Sequence, residues 1–235
     1  MLRRLGWDVV RFPSPPQPPP VTPTWAAIRR LDIRTVIDVG ALDGDTARLY
    51  REIWPHAALH CFEPQVAQYA LLKEWAARQQ PSVHTYGFAL GAAPTTATMF
   101  SVQDRPQHTS MVRDFRSSVD SPNRSEQPTR VERMDDVLDA AELESGILVK
   151  IDVEGYEREV LRGAAQVLDR AAVCIIEVND ALIEVGAADI AEIAATMRGH
   201  GLMFAGMLDQ HFNRNRRLYR GDAIFADWSR CAPRA

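Results

Sequence analysis

The strongest constraint on the fold of this chain is a repeated switch of hydrophobic period in its first half. Three short apolar runs, Thr35–Val39, Ala58–Phe62 and Val83–Leu90, are separated by two helical stretches, Thr46–Trp54 and Val66–Gln79. Runs this short and this apolar read as strands buried on both faces. Two strands joined through a helix must run parallel, because only a crossover connection of that length returns the chain to the same sheet edge. The pattern resumes later with strands at Gly146–Val153 and Ala172–Val178, helices at Tyr156–Asp169 and Asp189–His200, and two final strands, Gly201–Leu208 and Arg217–Ala226. The final two are short enough in their connection to pair as an antiparallel edge. The expectation is one α/β domain built on a mostly parallel sheet.

Two segments interrupt this alternation. Residues 13–23 hold seven of the chain's 15 prolines and read as a stiff, extended spacer. Residues 1–24 are therefore an arm and residues 25–235 the domain. Residues 1–12 suit a short amphipathic helix packed on the domain or on a partner subunit, and Thr24 suits the N-cap of a helix running to Leu31. Residues at about 91–134 are rich in Ser, Thr, Pro and Arg, with strand-like pieces at Thr98–Val102 and Thr129–Met134. They read as an inserted hairpin whose loop, 103–128, is placed to close over a substrate.

Composition excludes several classes. With 27 basic against 31 acidic residues the net charge is −4, too little basic excess for a protein held to nucleic acid by phosphate neutralisation. No apolar run is long enough to span a bilayer, and the arginines near Met1 are followed by no apolar signal core. The three cysteines, Cys61, Cys174 and Cys231, are widely spaced and odd in number, which suits a reducing compartment, the cytoplasm. Only Lys73 and Lys150 are lysines, against 25 arginines, a bias that base composition explains.

The chemistry begins at Asp38-Val39-Gly40-Ala41-Leu42-Asp43-Gly44-Asp45-Thr46, a strand, a glycine loop and a helix start. Gly40 admits close backbone approach, Gly44 a tight turn, and the helix amides favour a carboxylate. Glu63 ends the next strand 25 residues after Asp38, where an acid can accept both hydroxyls of a ribose. The loop lacks the third glycine of a dinucleotide fingerprint and the Lys of a P-loop, and Asp38, Asp43 and Asp45 are hostile to a pyrophosphate. An adenosine-containing cofactor with a positive charge fits better. A nicotinamide-dependent oxidoreductase and a non-catalytic cofactor-binding module are the alternatives.

Asp152 and Glu154 follow a buried strand at its carboxyl end, the edge where such sheets bind ligands. Alternation gives Lys150, Asp152 and Glu154 one parity. Asp152 is the candidate general base, with Glu154, His108 and His211 as rivals. Asp152, Glu154 and Glu177, with an Asn179 oxygen, form a possible oxygen set for Mg²⁺, although no spacing signature selects a metal. Arg214, Arg216, Arg217 and Arg220 suit a solvated, charge-protected edge hairpin better than a phosphate site.

The chain resembles the FkbM-type S-adenosylmethionine-dependent methyltransferases over roughly residues 33–180. The resemblance rests on Val36–Thr46, Cys61-Phe62-Glu63-Pro64, Asp135-Asp136-Val137-Leu138, Val160–Ala164, Ile175-Ile176-Glu177-Val178 and, most specifically, Lys150-Ile151-Asp152-Val153-Glu154-Gly155. Leu42 and Met134 depart from the usual residues. The resemblance implies a Rossmann-like class I methyltransferase fold, with a seven-stranded mostly parallel sheet, helices on both faces and an antiparallel C-terminal hairpin. It implies methyl transfer to a hydroxyl of a sugar, glycan or polyketide-type small molecule. Carried over by position, it places Asp38, Gly40 and Thr46 around the methionine part of the cofactor and Glu63 on the ribose, and Asp152 counts among the cofactor-binding residues. Gly87, Phe88 and Ala89 would approach the adenine, with Ser110 and Met111 nearby.

Overall fold

The computed structural model describes residues 23–102, 109–112, 124–212, 214 and 218–231. Seven strands form the main sheet: β1 (Thr35–Val39), β2 (Ala58–Phe62), β3 (Val83–Tyr86), β7 (Ile147–Ile151), β8 (Ala171–Asn179), β9 (Met203–Phe212) and β10 (Leu218–Ala226). Their order is β3-β2-β1-β7-β8-β10-β9. The first five are parallel, and β10 runs antiparallel to β8 on one side and β9 on the other. The last hairpin is thus inserted with its second strand inward, so β10 is an interior strand and β9 the edge.

Alternation divides the apolar residues between two cores. Val36, Leu148, Val173, Ile175 and Ile224 face one side, where they meet Ala47, Tyr50 and Ile53 of helix α2 (Asp45–Ile53) and Leu72 of helix α3 (Val66–Ala76). Ile37, Val39, Val149, Ile151, Ile176 and Phe225 face the other, against Val160 and Leu161 of helix α5 (Glu157–Arg162), Val167 and Leu168 of helix α6 (Ala165–Leu168), and Ile193 and Met197 of helix α7 (Ile190–Gly199). Helix α7 opens on Asp189, whose carboxylate accepts the Glu192 N–H at 2.8 Å, an N-cap that fixes its start.

The inserted segment is a second, three-stranded sheet of order β4-β6-β5: β4 (Ala89–Leu90), β5 (Thr95–Val102) and β6 (Arg124–Glu132). The expected hairpin is present in the antiparallel pairing of β5 with β6. Most of the expected closing loop, and the arm through residue 22, lie outside the described residues.

Among the boundaries that differ from the sequence reading, β6 takes up residues 124–128 of the expected loop, and three others have a local cause. The expected strand Val83–Leu90 divides at Gly87 and Phe88, and its second half leaves for the other sheet. The expected helix Tyr156–Asp169 divides at Gly163, where a Cβ would lie 2.0 Å from the Gly91 carbonyl oxygen. Thr24 does not cap a helix: it lies within helix α1 (Pro23–Ile28), and its hydroxyl donates to the Ala205 carbonyl at 3.0 Å. All three cysteines are buried free thiols, and no helix among the described residues is long and apolar enough to cross a membrane.

Candidate active site

A cleft opens at the carboxyl ends of β2, β1 and β7, the edge that the parallel strands define. Its walls come from the Gly40–Thr46 loop, the end of β2, the Phe88–Leu90 segment, Thr109–Met111, the Asp152–Glu154 turn and Arg220 of β10.

The loop is fixed by the backbone. Gly40 and Ala41 both donate N–H to the Phe62 carbonyl at 3.0 Å, and Gly44 (φ 94°) turns the chain into α2. Gly40 (φ 85°) requires glycine for another reason than expected: its missing Cβ points at the Asp152 carbonyl oxygen, 2.0 Å from where the Cβ would be. That space is filled by the protein and is not left for a ligand.

Glu63 stands where the sequence placed it. Its two oxygens accept the N–H groups of Leu42 at 2.9 Å and Gln65 at 2.7 Å, one each. The Gln65 side chain bonds the same carboxylate, so three of its roughly four lone-pair positions are engaged and one remains. Glu63 is only 2% exposed, and burial pushes its pKa up to about 7 against the lowering effect of those two amides. Beside it, Phe62, Phe88, Leu90 and Met99 line an apolar slot, with Phe62 and Phe88 edge to face at 5.9 Å. An acid with acceptor capacity left next to an apolar slot fits a ribose hydroxyl joined to a flat base.

The other end of the cleft is ionic. Lys150, buried on β7, donates to Asp222 of β10 at 2.8 Å and to Asp152 at 3.2 Å. Burial opposes its charge, but Asp152 and Asp222 together hold its pKa well above the ordinary value. Asp152 presents a partly open carboxylate to the cleft, its side chain 34% exposed. Arg220 bonds through Nε to Glu177 of β8 and places a terminal nitrogen 3.7 Å from Glu154. Glu154 is buried in a left-handed conformation, φ 51°, rare for a side chain of its size. Burial raises the Glu177 pKa, Asp152 and Glu154 add to the rise, and Arg220 pulls it back.

Of the expected site residues, Gly40, Thr46, Glu63, Phe88, Ala89, Ser110, Met111, Asp152 and Glu154 all line this cleft. Four expectations need correction or fall aside. Asp38 lies beneath the floor rather than on it, 2% exposed and directly beside Lys150 in the strand register. Gly87 lies under the Tyr69 ring and does not line the cleft. His211 is exposed on β9, its ring 6.2 Å from that of Tyr219, and is not brought to the cleft. His108 lies outside the described residues. Ser110 lines the cleft, but its hydroxyl is engaged: it donates to the Glu154 carbonyl at 2.6 Å and accepts the Val112 N–H at 3.0 Å. The oxygen set considered for Mg²⁺ is interrupted by a cation, since Arg220 joins Glu177 to Glu154. Among the described residues no group of three or more His, Cys, Asp or Glu side chains is arranged to hold a metal ion.

Arg220, with Leu90 and Met99, is a cleft residue that the sequence reading does not place at the site. The expected solvated edge does not hold for Arg220: β10 is flanked on both sides and Arg220 points inward to Glu177. Of its three companions only Arg214 falls within the described residues, and it is exposed and outside the cleft lining.

A parallel sheet with an inserted antiparallel strand, bearing an acid at the end of its second strand, is the architecture of a class I methyltransferase. The chain belongs to the FkbM methyltransferase family, whose domain description matches residues 38–202. It is similar to the 2-O-methyltransferase NoeI of Sinorhizobium fredii, 26% identical over 156 residues that cover 62% of this chain and 63% of that relative. The structure is similar to the methyltransferase FkbM of Methylobacillus flagellatus, with a TM-score of 0.55 at 15% identity, covering 83% of this chain. The present chain spans 44% of that protein's length and less than two thirds of NoeI.

Proposed function

We propose that this chain is an S-adenosylmethionine-dependent O-methyltransferase whose acceptor is a hydroxyl of a sugar, glycan or polyketide-type small molecule. The observation that carries the reading is the pairing, in one cleft, of Glu63 with an apolar slot at one end and the Asp152 carboxylate at the other. S-adenosylmethionine, when bound, supplies a methyl group made electrophilic by its sulfonium. Glu63 would hold its ribose, Phe88, Leu90 and Met99 its base, and the loop up to Thr46 its amino-acid part. The filled space over Gly40 and the Asp43 and Asp45 carboxylates on the wall disfavour a pyrophosphate, and so the dinucleotide alternative. The oxygen acceptor is supported by the name of the NoeI relative.

Asp152 would take the proton from the acceptor hydroxyl, a weak acid that needs a base at neutral pH. Lys150 holds that carboxylate in place through the 3.2 Å contact. The turn behind it is stiffened by Glu157, which accepts N–H groups from Val153 and Gly155 at 3.3 and 3.0 Å.

Two substitutions test this reading. Glu63→Ala removes charge-assisted bonds of roughly 1.5–3 kcal/mol each, so S-adenosylhomocysteine should bind at least about tenfold more weakly in calorimetry. Asp152→Asn should spare that binding and lower turnover by roughly 10²-fold or more. Mass spectrometry of glycans and metabolites incubated with labelled S-adenosylmethionine identifies the acceptor by the gain of one methyl group. Unchanged affinity in the Glu63 variant would remove the residue from the site, and full activity of the Asn variant would remove Asp152. Binding without turnover on any acceptor would favour the non-catalytic module.

A further inference from the structure

We infer that Arg220 is the residue that reads the acceptor, and that it selects an uncharged oxygen-rich substrate over a phosphorylated or carboxylated one. The inference rests on the methyltransferase reading of the cleft.

The first argument is position. Glu63 follows β2, Asp152 follows β7, and Arg220 sits on β10 opposite Asn179, the last residue of β8. In the order β3-β2-β1-β7-β8-β10, Arg220 is four strands from β2 and Asp152 only two. At about 4.8 Å per strand these steps are about 19 Å and about 10 Å. The Glu63 side chain anchors one end, and Asp152 marks the reacting hydroxyl. Arg220 lies beyond Asp152 on the side away from Glu63, where only the acceptor extends. It also lies outside residues 38–202, so the hairpin brings to the cleft a group that the family-matched segment does not contain.

The second argument is how the guanidinium is held. Its Nε is bound by Glu177, which fixes the plane, and the side chain remains 31% exposed where it lines the cleft. Among the described residues, one of its terminal nitrogens, Nη2, meets Glu154 at 3.7 Å, beyond hydrogen-bond length. A planar fork with its edge fixed and its end open is a directional donor to substrate oxygen.

The third argument is charge. The groups facing Arg220 are Glu177, Glu154 and Asp152, and behind them Lys150 is shared between Asp152 and Asp222. Among the described residues, two buried acidic groups, Glu177 and Glu154, already face this single guanidinium. Among the described residues, an incoming phosphate or carboxylate would meet Asp152 and Glu154 with no cation but Arg220 and Lys150, both already paired. A hydroxyl, ring or carbonyl oxygen needs only the N–H.

The test uses the full chain with saturating S-adenosylmethionine and follows S-adenosylhomocysteine release. The acceptors are a panel of neutral methyl glycosides with matched uronic acids and sugar phosphates. Neutral glycosides should turn over, and each charged counterpart should fall at least about tenfold in kcat/KM. Arg220→Met should raise KM for the best neutral glycoside by roughly tenfold or more and change kcat far less. Because that variant leaves Glu177 and Glu154 without their cation, Arg220→Lys is the companion. It keeps the charge, and its melting temperature should match wild type, but it lacks the fork, so KM should stay raised. S-adenosylhomocysteine affinity, measured by calorimetry, should be unchanged in the Lys variant. A wild-type KM in the Lys variant, turnover of charged acceptors at least equal to neutral ones, or turnover of neither would overturn the inference. Failure of the wild-type chain to bind S-adenosylmethionine would instead overturn the methyltransferase reading beneath it.

Discussion

Asp38 illustrates how a strand's parity can override a motif. The sequence Asp38-Val39-Gly40 invites a ligand role, but Asp38 shares its face with Val36 and so projects beneath the cleft floor toward Lys150. Burial pushes its pKa up to about 7 from 3.8; Lys150 opposes the rise, and Asp152 and Glu63 add to it. One of its oxygens has no hydrogen-bond partner among the described residues. The sign of the linkage follows. Between pH 3.8 and about 7 the folded chain holds a proton that the unfolded chain has lost. The contribution of Asp38 to stability is therefore fully present below pH 3.8 and is lost as pH rises through about 7. Glu63 and Glu157, also raised by burial to about 7, add to the same slope. Asp38→Asn should accordingly reduce the loss of melting temperature between pH 5 and pH 8 without abolishing it. A variant whose melting temperature falls over that range as steeply as wild type would show that Asp38 is ionised in the fold.

At the scale of elements, close backbone contacts decide where helices stop. Gly163 has an ordinary φ of −91°, so no strain forbids a side chain there, yet its Cβ position lies 2.0 Å from the Gly91 oxygen. This contact locks the end of α5 to the start of the inserted sheet. Gly163→Ala should therefore cost about 1–3 kcal/mol in denaturant unfolding, the usual scale of overpacking, although alanine is the better helix former. A neutral or stabilising result would mean that the two sheets slide apart freely. The same contact explains what the sequence could not show. The strands at Thr35–Val39 and Ala58–Phe62 were legible to the residue, because apolar runs bounded by glycine and proline are local signals. The break at Gly163 was not, because its cause lies some 70 residues away at Gly91. Glu63 and Asp152 were legible because each directly follows a legible strand. Arg220 was not: its inward aim depends on β10 inserting between β8 and β9, which no local pattern encodes.

At the scale of the molecule, the cleft is assembled from segments that only the completed sheet brings together: the Gly40 loop, Glu63, Phe88, Met99, Ser110, Asp152 and Arg220. A ligand that touches several of them binds the folded chain and not the unfolded one, so it must stabilise the whole. At a hundred times its Kd, S-adenosylhomocysteine should contribute about 2.7 kcal/mol. For a chain of 235 residues each kcal/mol moves the midpoint by about 2–4 °C, so the melting temperature should rise by about 5–10 °C. NAD⁺ at the same concentration should move it by less than about 1 °C, because its pyrophosphate would meet Asp43 and Asp45 on the wall and find the space over Gly40 occupied. The Glu63→Ala variant supplies the internal control. Its cleft retains the apolar slot but loses the carboxylate proposed to hold the ribose, so tenfold weaker binding should remove about 1.4 kcal/mol of the ligand's contribution, and with it about half of the shift. A larger shift with NAD⁺ than with S-adenosylhomocysteine in the wild-type chain would return the dinucleotide reading to first place. An undiminished shift in the Glu63 variant would move the cofactor away from β2.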